Sequence, residues 1–153
     1  MDQMPTLNLF LRQANPSECD AIHRLVQVVA DETFAYLFRS PHVPIGDDNW
    51  NLSWVAVCDG EIVGVTMTSV EYVTDLWVAA DWRRRGIGQM LLVHSENEIR
   101  ERGQPRARLR VVKSNSRAVD FYMHRGWAVA REFPHEKFGH AMFEMTKSLE
   151  TPG

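Results

Sequence analysis

The fold is decided near the middle of the chain by residues 73–92, VTDLWVAADWRRRGIGQMLL. Up to Val78, the β-branched and aromatic residues of this stretch are typical of a strand. After Gly88, apolar residues recur at helical spacing as far as Ile99, and Gly103 is a residue type that commonly ends helices. The stretch therefore predicts a strand, a glycine-containing loop and a helix in direct succession.

The loop of this stretch has the properties of an anion-binding site. Gly86 and Gly88 allow close approach of a ligand to the backbone, and the first turn of the following helix presents N–H groups and a positive dipole end. Arg83, Arg84 and Arg85 add positive charge. The spacing Arg-x-x-Gly-x-Gly differs from the motifs of dinucleotide-binding and P-loop proteins. The pattern favours another phosphate ligand, and a tight turn with solvated arginines is the alternative.

Upstream of this stretch the sequence predicts a first strand and two helices. The strand covers Leu7–Leu11, and Asn15-Pro16-Ser17-Glu18 contains the residue types that begin a helix. Apolar spacing extends this helix to Val29. A second, short helix is predicted around Glu32–Phe38, and a loop over residues 39–50.

The remaining segments alternate between strand and helix patterns. Asp59-Gly60 lies between two β-rich runs and is the strongest hairpin signal in the sequence. Asn115 begins a segment that predicts a helix ending at Arg125-Gly126. The predicted strands are Leu52–Cys58, Ile62–Val70, Glu71–Val78, Ala107–Val112, Trp127–Arg131 and Ala141–Thr146. This order indicates an α/β (mixed α+β) layer structure.

Residues 73–92 resemble the first motif of the GNAT N-acetyltransferase superfamily, in which a strand ending in Leu-aromatic-Val leads through [Arg/Gln]-x-x-Gly-x-[Gly/Ala] into a helix. Residues 111–127, VVKSNSRAVDFYMHRGW, are similar to the family's second motif, with its Asn, its aromatic-Tyr pair and its Gly-aromatic ending. The resemblance implies a single N-acetyltransferase domain over residues 1–153, with a core at about 7–147. It also implies a central twisted and splayed mixed sheet that is flanked by helices.

The resemblance further implies acetyl-coenzyme A as the cosubstrate. Its pyrophosphate is expected on the backbone N–H groups of residues 84–89 and on the arginine side chains, with its pantetheine arm along the preceding strand. Asn115 is expected to contact the same arm, to cap its helix, or to do both. The implied cofactor-binding residues are Leu76, Trp77, Val78, Arg83, Arg84, Arg85, Gly86, Ile87, Gly88, Gln89 and Asn115.

Acetyl transfer requires a general base for the amine and a general acid for the departing thiolate. Tyr122 matches the family's tyrosine near the sulfur and is the predicted acid, with a core tyrosine as the alternative. Relatives that acetylate polyamines carry Glu-Asp where this chain has Thr74-Asp75, and Arg110 occupies a strand position where other members carry a Glu base. Glu71 and Asp75 remain the predicted bases, ranked equally.

The charge of the chain is unevenly distributed. Residues 1–75 carry eleven acidic residues against three arginines, whereas residues 76–153 carry nine acidic against fourteen basic residues. This distribution suits an anionic ligand on the second half and a cationic substrate near the first, or it reflects solvated helix faces alone. The formal net charge of −3 does not favour a nucleic-acid partner.

Other functional classes receive little support from the sequence. Cys19 and Cys58 lie far apart and outside any C-x-x-C pattern, so we expect reduced thiols. His135 and His140 lack the further ligands of a zinc set, so no metal is predicted. No apolar run approaches the roughly 18 residues of a membrane span, and no basic segment precedes the first apolar stretch, so we expect a cytoplasmic protein without a membrane partner.

The predicted function is acetyl transfer from acetyl-coenzyme A to a primary amine, most simply that of a small cationic molecule, by direct attack in a ternary complex. Two alternatives remain open. One is a non-catalytic acyl-coenzyme A binding or sensor module, and the other is a protein lysine or N-terminal acetyltransferase. A homodimer is expected from the resemblance.

Overall fold

The computed structural model describes residues 8–46 and 49–150. Over these residues the chain forms three α-helices and a mixed sheet of seven strands in the order β1-β2-β3-β4-β5-β7-β6. The strands are β1 (Leu9–Gln13), β2 (Trp54–Cys58), β3 (Glu61–Ser69), β4 (Tyr72–Val78), β5 (Arg106–Val112), β6 (Ala128–Pro134) and β7 (Ala141–Ser148). The helices are α1 (Cys19–Phe34), α2 (Ile87–Glu101) and α3 (Ser116–Met123). The predicted α/β fold class is confirmed.

The sheet combines parallel and antiparallel pairs. Strand β4 pairs with β5 in parallel through Tyr72 and Val73 opposite Arg108 and Leu109. The β1–β2, β2–β3, β5–β7 and β6–β7 pairs are antiparallel. No helix in the described part of the chain is long and apolar enough to cross a membrane.

The chain divides into two compact units. The first comprises Met1–Met67 and Asp75–Val93. Its interior contains two apolar clusters, one of which packs against α1 and the other against the first turns of α2. The first cluster consists of Ala14, Ile22, Val26, Trp50, Val55, Val57 and Val65, and the second of Ala56, Cys58, Val63, Ile87 and Leu91.

The second unit comprises Thr68–Thr74 and His94–Gly153. It contains β5, β6, β7, α3 and the C-terminal part of α2. A buried carboxylate, Glu96 of α2, accepts a hydrogen bond of 3.1 Å from the indole Nε1 of Trp127 and one of 2.9 Å from Nζ of Lys147. Because a buried charge is costly unless it is paired, these contacts hold α2 against Lys147 of β7 and against Trp127, which precedes β6.

The N-terminal helix begins as the sequence predicts but continues further. Asn15 N–H donates to Oε1 of Glu18 at 2.8 Å, and Arg12 forms two 2.7 Å contacts with the same carboxylate. The hydrogen bonds from Arg12 lower the pKa of Glu18 to about 2. The prediction of a separate helix over Glu32–Phe38 is wrong, because α1 continues without a break to Phe34 and is followed by a 3₁₀ turn at Ala35–Leu37. No proline or glycine interrupts the chain between Val29 and Phe34.

The hairpin predicted at Asp59-Gly60 and the helix ends predicted at Gly103 and at Arg125-Gly126 are confirmed with shifts of a few residues. Asp59 and Gly60 both have positive φ angles, of 50° and 83°, as the two-residue turn between β2 and β3 requires. Gly103 and Gly126, which follow α2 and α3, also have positive φ angles. The predicted first strand begins at Leu7, which lies outside the described residues, and β1 begins at Leu9.

Candidate functional site

The predicted strand, loop and helix are present in the first unit. Strand β4 ends at Val78, and the N–H of Ala79 donates to the carbonyl of Val63 at 3.0 Å. A 3₁₀ turn over Ala80–Trp82 follows, in which Trp82 N–H donates to the Ala79 carbonyl at 2.9 Å. Helix α2 begins at Ile87. We call residues 83–89, the end of this turn and the start of α2, the glycine loop.

The backbone of the glycine loop adopts conformations that most residues avoid. Gly86 has φ +81°, and Arg84 has φ 65°. Glycine adopts the positive φ of position 86 without strain. A Cβ atom there would meet no heavy atom within 4 Å, so open space adjoins the loop. This geometry is suited to a ligand that lies directly on the backbone.

The glycine loop contains hydrogen-bond donors that α2 does not use. The first hydrogen bond of α2 runs from Met90 N–H to the Gly86 carbonyl at 3.0 Å, so the N–H groups of Ile87, Gly88 and Gln89 have no intrahelical acceptor. The side chain of Ile87 is buried and anchors this turn in the core. The donors and the positive end of the helix dipole therefore sit on a rigid base, which fits the phosphate groups of acetyl-coenzyme A.

The three arginines of the loop differ in their surroundings. Arg84 and Arg85 are exposed, and Arg83 is half-buried. The guanidinium of Arg85 lies over the ring of Trp82, 4.9 Å from its centroid. A solvated guanidinium and a stacked one are both accessible to an anion.

Strand β4 presents its two faces to different parts of the first unit. Leu76 and Val78 pack against the cluster that contains Ile87 of α2. Trp77 lies on the other face, where its ring makes an edge contact with Phe34 of α1 at 6.4 Å between centroids. The side chains of all three strand residues are thus packed against protein, so a pantetheine arm along this strand would use their backbone.

The sequence analysis did not identify one residue that shapes this region. Gly64 of β3 lies where a Cβ atom would be 2.9 Å from Cδ1 of Leu91 and 3.1 Å from the carbonyl oxygen of Trp77. Because such distances are too short for a side chain, Gly64 is what lets α2 pack closely on β3. A glycine inside a strand pattern is the sequence signal for such an approach.

The two predicted bases occupy different environments. In the first unit, Oδ1 of Asp75 accepts a hydrogen bond from the Trp77 indole N–H at 3.1 Å, so both side chains lie on the same face of β4. Glu71 belongs to the second unit and precedes the observed strand, in the turn between β3 and β4. Its carbonyl accepts from the N–H of Arg108 at 2.8 Å. The prediction that Glu71 begins this strand is therefore wrong by one residue, since Tyr72 is its first.

The second unit contains the other two predicted site residues, Asn115 directly before α3 and Tyr122 within it. Oδ1 of Asn115 accepts from the N–H of Ala118 at 3.4 Å, and the carbonyl of Asn115 accepts from Val119 N–H at 3.1 Å. The capping role predicted for Asn115 is thus present. Tyr122 is buried, and its ring packs against Trp127 with 6.0 Å between centroids. Burial raises the pKa of Tyr122, so its phenol is protonated at neutral pH.

The seven-stranded mixed sheet and the glycine loop define an α/β protein whose loop geometry suits a phosphate-bearing ligand. A family model described as an acetyltransferase (GNAT) domain matches residues 23–149. The chain therefore belongs to the GNAT acetyltransferase family, as its two motifs predicted. Acetyl-coenzyme A is the cosubstrate of this family.

Solved structures share this fold at low sequence identity. A putative acetyltransferase of Salmonella typhimurium with its cofactor acetyl-CoA, yncA, has a TM-score of 0.75 and 19% identity over 95% of this chain and 96% of its own. The paia N-acetyltransferase of Thermoplasma acidophilum in complex with coenzyme A has a TM-score of 0.70 and 15% identity, over 92% and 99% of the two chains. Ard1 of Thermoplasma volcanium has a TM-score of 0.73 and 17% identity, over 94% and 99%. No curated protein matches the sequence.

Proposed function

We propose that this chain transfers the acetyl group of acetyl-coenzyme A to a primary amine of a small, net cationic molecule. The glycine loop carries the proposal, because its N–H groups without an intrahelical acceptor, the dipole of α2 and its arginines are all suited to the phosphates of the cosubstrate. The acceptor class is supported by the charge of the first 75 residues, which contain eleven acidic residues and three arginines.

The proposed reaction is a direct attack. The lone pair of the neutral amine forms a bond to the thioester carbonyl carbon, the carbon–sulfur bond breaks, and the thiolate leaves as coenzyme A. The amine loses one proton to a base and the thiolate gains one from an acid, so the numbers of protons given up and received are equal. Tyr122 is the proposed acid, because it matches the tyrosine of the family's second motif and its phenol is protonated at neutral pH.

Asp75 and Glu71 are the proposed bases, acting directly or through a water molecule. Of the two, Asp75 has the better defined position, because the Trp77 indole N–H donates to one of its carboxylate oxygens and so restricts the orientation of the carboxylate. Glu71 lies in a two-residue turn whose other member, Val70, has a φ of 54°. We therefore place Asp75 first as the group that takes up the proton.

An acyl-enzyme route through a cysteine has little support. Cys58 is buried in β2, and burial, together with the charge of Asp59, raises the pKa of its thiol. A thiol with a raised pKa is a poor nucleophile because little thiolate is present at neutral pH. This environment supports attack by the acceptor amine itself.

The test of the proposed function measures release of the coenzyme A thiol from acetyl-coenzyme A in the presence of a panel of small amines. Tyr122→Phe should lower kcat by about 100-fold or more, the range of general acid catalysis, without changing the affinity for acetyl-coenzyme A. Tyr36→Phe removes the same atom from a residue that is 63% exposed and is the matched control. It should leave kcat unchanged.

Two outcomes would contradict the proposal. Retained binding of acetyl-coenzyme A with no thiol release for any amine would instead favour a binding or sensor module. Full activity of Tyr122→Phe would remove Tyr122 from the mechanism and return it to a packing role beside Trp127.

A further inference from the structure

Asp75 of β4 contacts two other residues of the first unit, one through its backbone and one through its side chain. Its carbonyl accepts a hydrogen bond of 2.9 Å from the hydroxyl of Thr66, a buried residue of β3. Its carboxylate oxygen Oδ1 accepts one of 3.1 Å from the indole Nε1 of Trp77. The backbone and the carboxylate of this residue are therefore restrained separately.

The indole that contacts Asp75 is itself held by helix α1. The Trp77 ring meets the ring of Phe34, the last residue of α1, with 6.4 Å between centroids and an angle of 89° between ring planes. This is the edge-to-face arrangement that aromatic pairs prefer. Trp77 also packs against the apolar cluster that contains Ile22 and Val26 of the same helix. The direction of its N–H group therefore depends on α1 as well as on the carboxylate.

An indole has the chemistry that suits it to orient a base. Its N–H group only donates, because the ring nitrogen has no lone pair to offer as an acceptor. A donor that faces a carboxylate favours the ionised form, which is the form that can take up a proton from an amine. The indole does not compete for that proton, since it has no basic site. Trp77 can therefore support Asp75 without taking part in the proton transfer.

We propose that Trp77 is a positioning residue of the reaction, whose N–H group holds the Asp75 carboxylate in the orientation and the ionised form in which it accepts the proton. Phe34 acts one contact further away, by holding the indole. This inference rests on the proposed function, in which Asp75 is the first of the two bases. In the transfer the N–H bond of the amine breaks, its electron pair stays on nitrogen, and an O–H bond forms on Asp75. Trp77 keeps its own proton throughout.

The test is a double-mutant cycle between positions 77 and 75, measured as thiol release with one amine acceptor. Trp77→Phe keeps an aromatic ring and removes the N–H group. It should lower kcat/KM for the acceptor about tenfold, as expected from the loss of a hydrogen bond to a charged group, and leave the affinity for acetyl-coenzyme A unchanged. In an Asp75→Asn background the same substitution should change kcat/KM by less than about twofold, because no ionised carboxylate remains to be oriented.

Two further variants separate the N–H group from the packing of the ring. Trp77→His returns a ring N–H group at a similar distance from the backbone and should recover part of the activity that Trp77→Phe loses. Phe34→Leu keeps an apolar side chain and removes the aromatic edge contact. It should lower kcat/KM about threefold in the presence of Asp75, and have no effect in the Asp75→Asn background.

Trp50 supplies the matched control. It packs in the same apolar cluster as Trp77, and its Nε1 has no hydrogen-bond partner in the described part of the chain. Trp50→Phe therefore makes the same change without removing a hydrogen bond, and it should leave kcat/KM within about twofold of the wild type. Thermal unfolding of every variant shows whether it is folded at the assay temperature.

The contrary outcomes distinguish this inference from the proposed function. Wild-type activity of Trp77→Phe would overturn the inference, as would an equal loss with and without the Asp75 carboxylate or an equal loss in Trp50→Phe. Full activity of Asp75→Asn would also overturn it and would leave acetyl transfer intact with Glu71 as the base. Absence of thiol release with every amine would contradict the proposed function and this inference with it.

Discussion

At the glycine loop positive character comes from the backbone, whereas on the arginine face it comes from side chains. The arginine face is the surface of the second unit that is formed by Tyr72, Arg108, Arg110, Arg131, Phe133 and Glu144. The loop uses N–H groups at the start of α2 and one glycine at φ +81°. The arginine face uses guanidinium groups from β5 and β6 that share one buried carboxylate of β7. The first arrangement depends on the local chain path, and the second depends on the register of three strands.

The glycine loop and the arginine face should respond differently to pH and to substitution. Backbone donors have no titratable proton near neutral pH and are lost only when the conformation of the loop changes. The protonation state of a shared carboxylate changes with pH, and its pKa changes with every charge that is added or removed around it. Substitution at the glycine loop should therefore act through geometry, and substitution on the arginine face through charge.

The largest expected effect is a loss of activity, and it tests which of the two proposed bases, Asp75 or Glu71, accepts the proton from the amine. Asp75 lies in the first unit, which contains the glycine loop, and Glu71 lies in the second, beside Arg108. Asp75→Asn should lower kcat/KM by about 100-fold, because the amide cannot take up a proton, whereas Glu71→Gln should remain near the wild type. Thiol release at saturating acetyl-coenzyme A gives both values. A loss confined to Glu71→Gln would assign the base to the second unit.

A smaller effect, on the free energy of unfolding, is expected from substitution of Glu144 on the arginine face. Glu144→Gln should lower the free energy of unfolding by about 1–3 kcal/mol at pH 7, because two guanidinium groups lose their shared partner. The pKa of Glu144 is lower in the folded protein than its ordinary value, so its contribution is present above that ordinary value and is lost as the pH falls through the folded pKa. Urea unfolding between pH 7 and pH 3 checks this dependence. A constant difference between variant and wild type over this range would show that Glu144 does not act through its charge.

Local signals predicted most of the fold and the glycine loop. Asp59-Gly60 specified its hairpin because few residues accept two successive positive φ angles. Gly86 specified its loop because glycine adopts a single positive φ angle without strain. The prediction of a separate second helix was wrong, because it relied on the end of the apolar spacing after Val29. Helix α1 continues past this point, where Gln27 Nε2 donates to Oδ1 of Asp31 at 3.0 Å and supports the next turn.

The arginine face could be predicted only in part. Arg106, Arg108 and Arg110 alternate with buried residues in β5, and this period of two already indicates that they share a face. The sequence does not predict which residues these arginines contact. Tyr72 and Glu144, which are hydrogen-bonded to each other on this surface, are 72 residues apart in sequence. Such a pair depends on strand order and register, neither of which a single sequence encodes locally. For the same reason the sequence left Glu71 and Asp75 equivalent as bases.

The glycine loop is the centre of the account, and its most direct test is a calorimetric titration with acetyl-coenzyme A. Gly86→Ala is compared with Gly60→Ala, because both glycines have a positive φ, of 81° and 83°, and neither would place a Cβ atom within 4 Å of another heavy atom. The two variants therefore carry a similar backbone strain of about 1 kcal/mol. We predict saturable binding in the wild type and in Gly60→Ala, and about tenfold weaker binding in Gly86→Ala. Absence of binding in the wild type, or equal affinities for the two variants, would contradict the account.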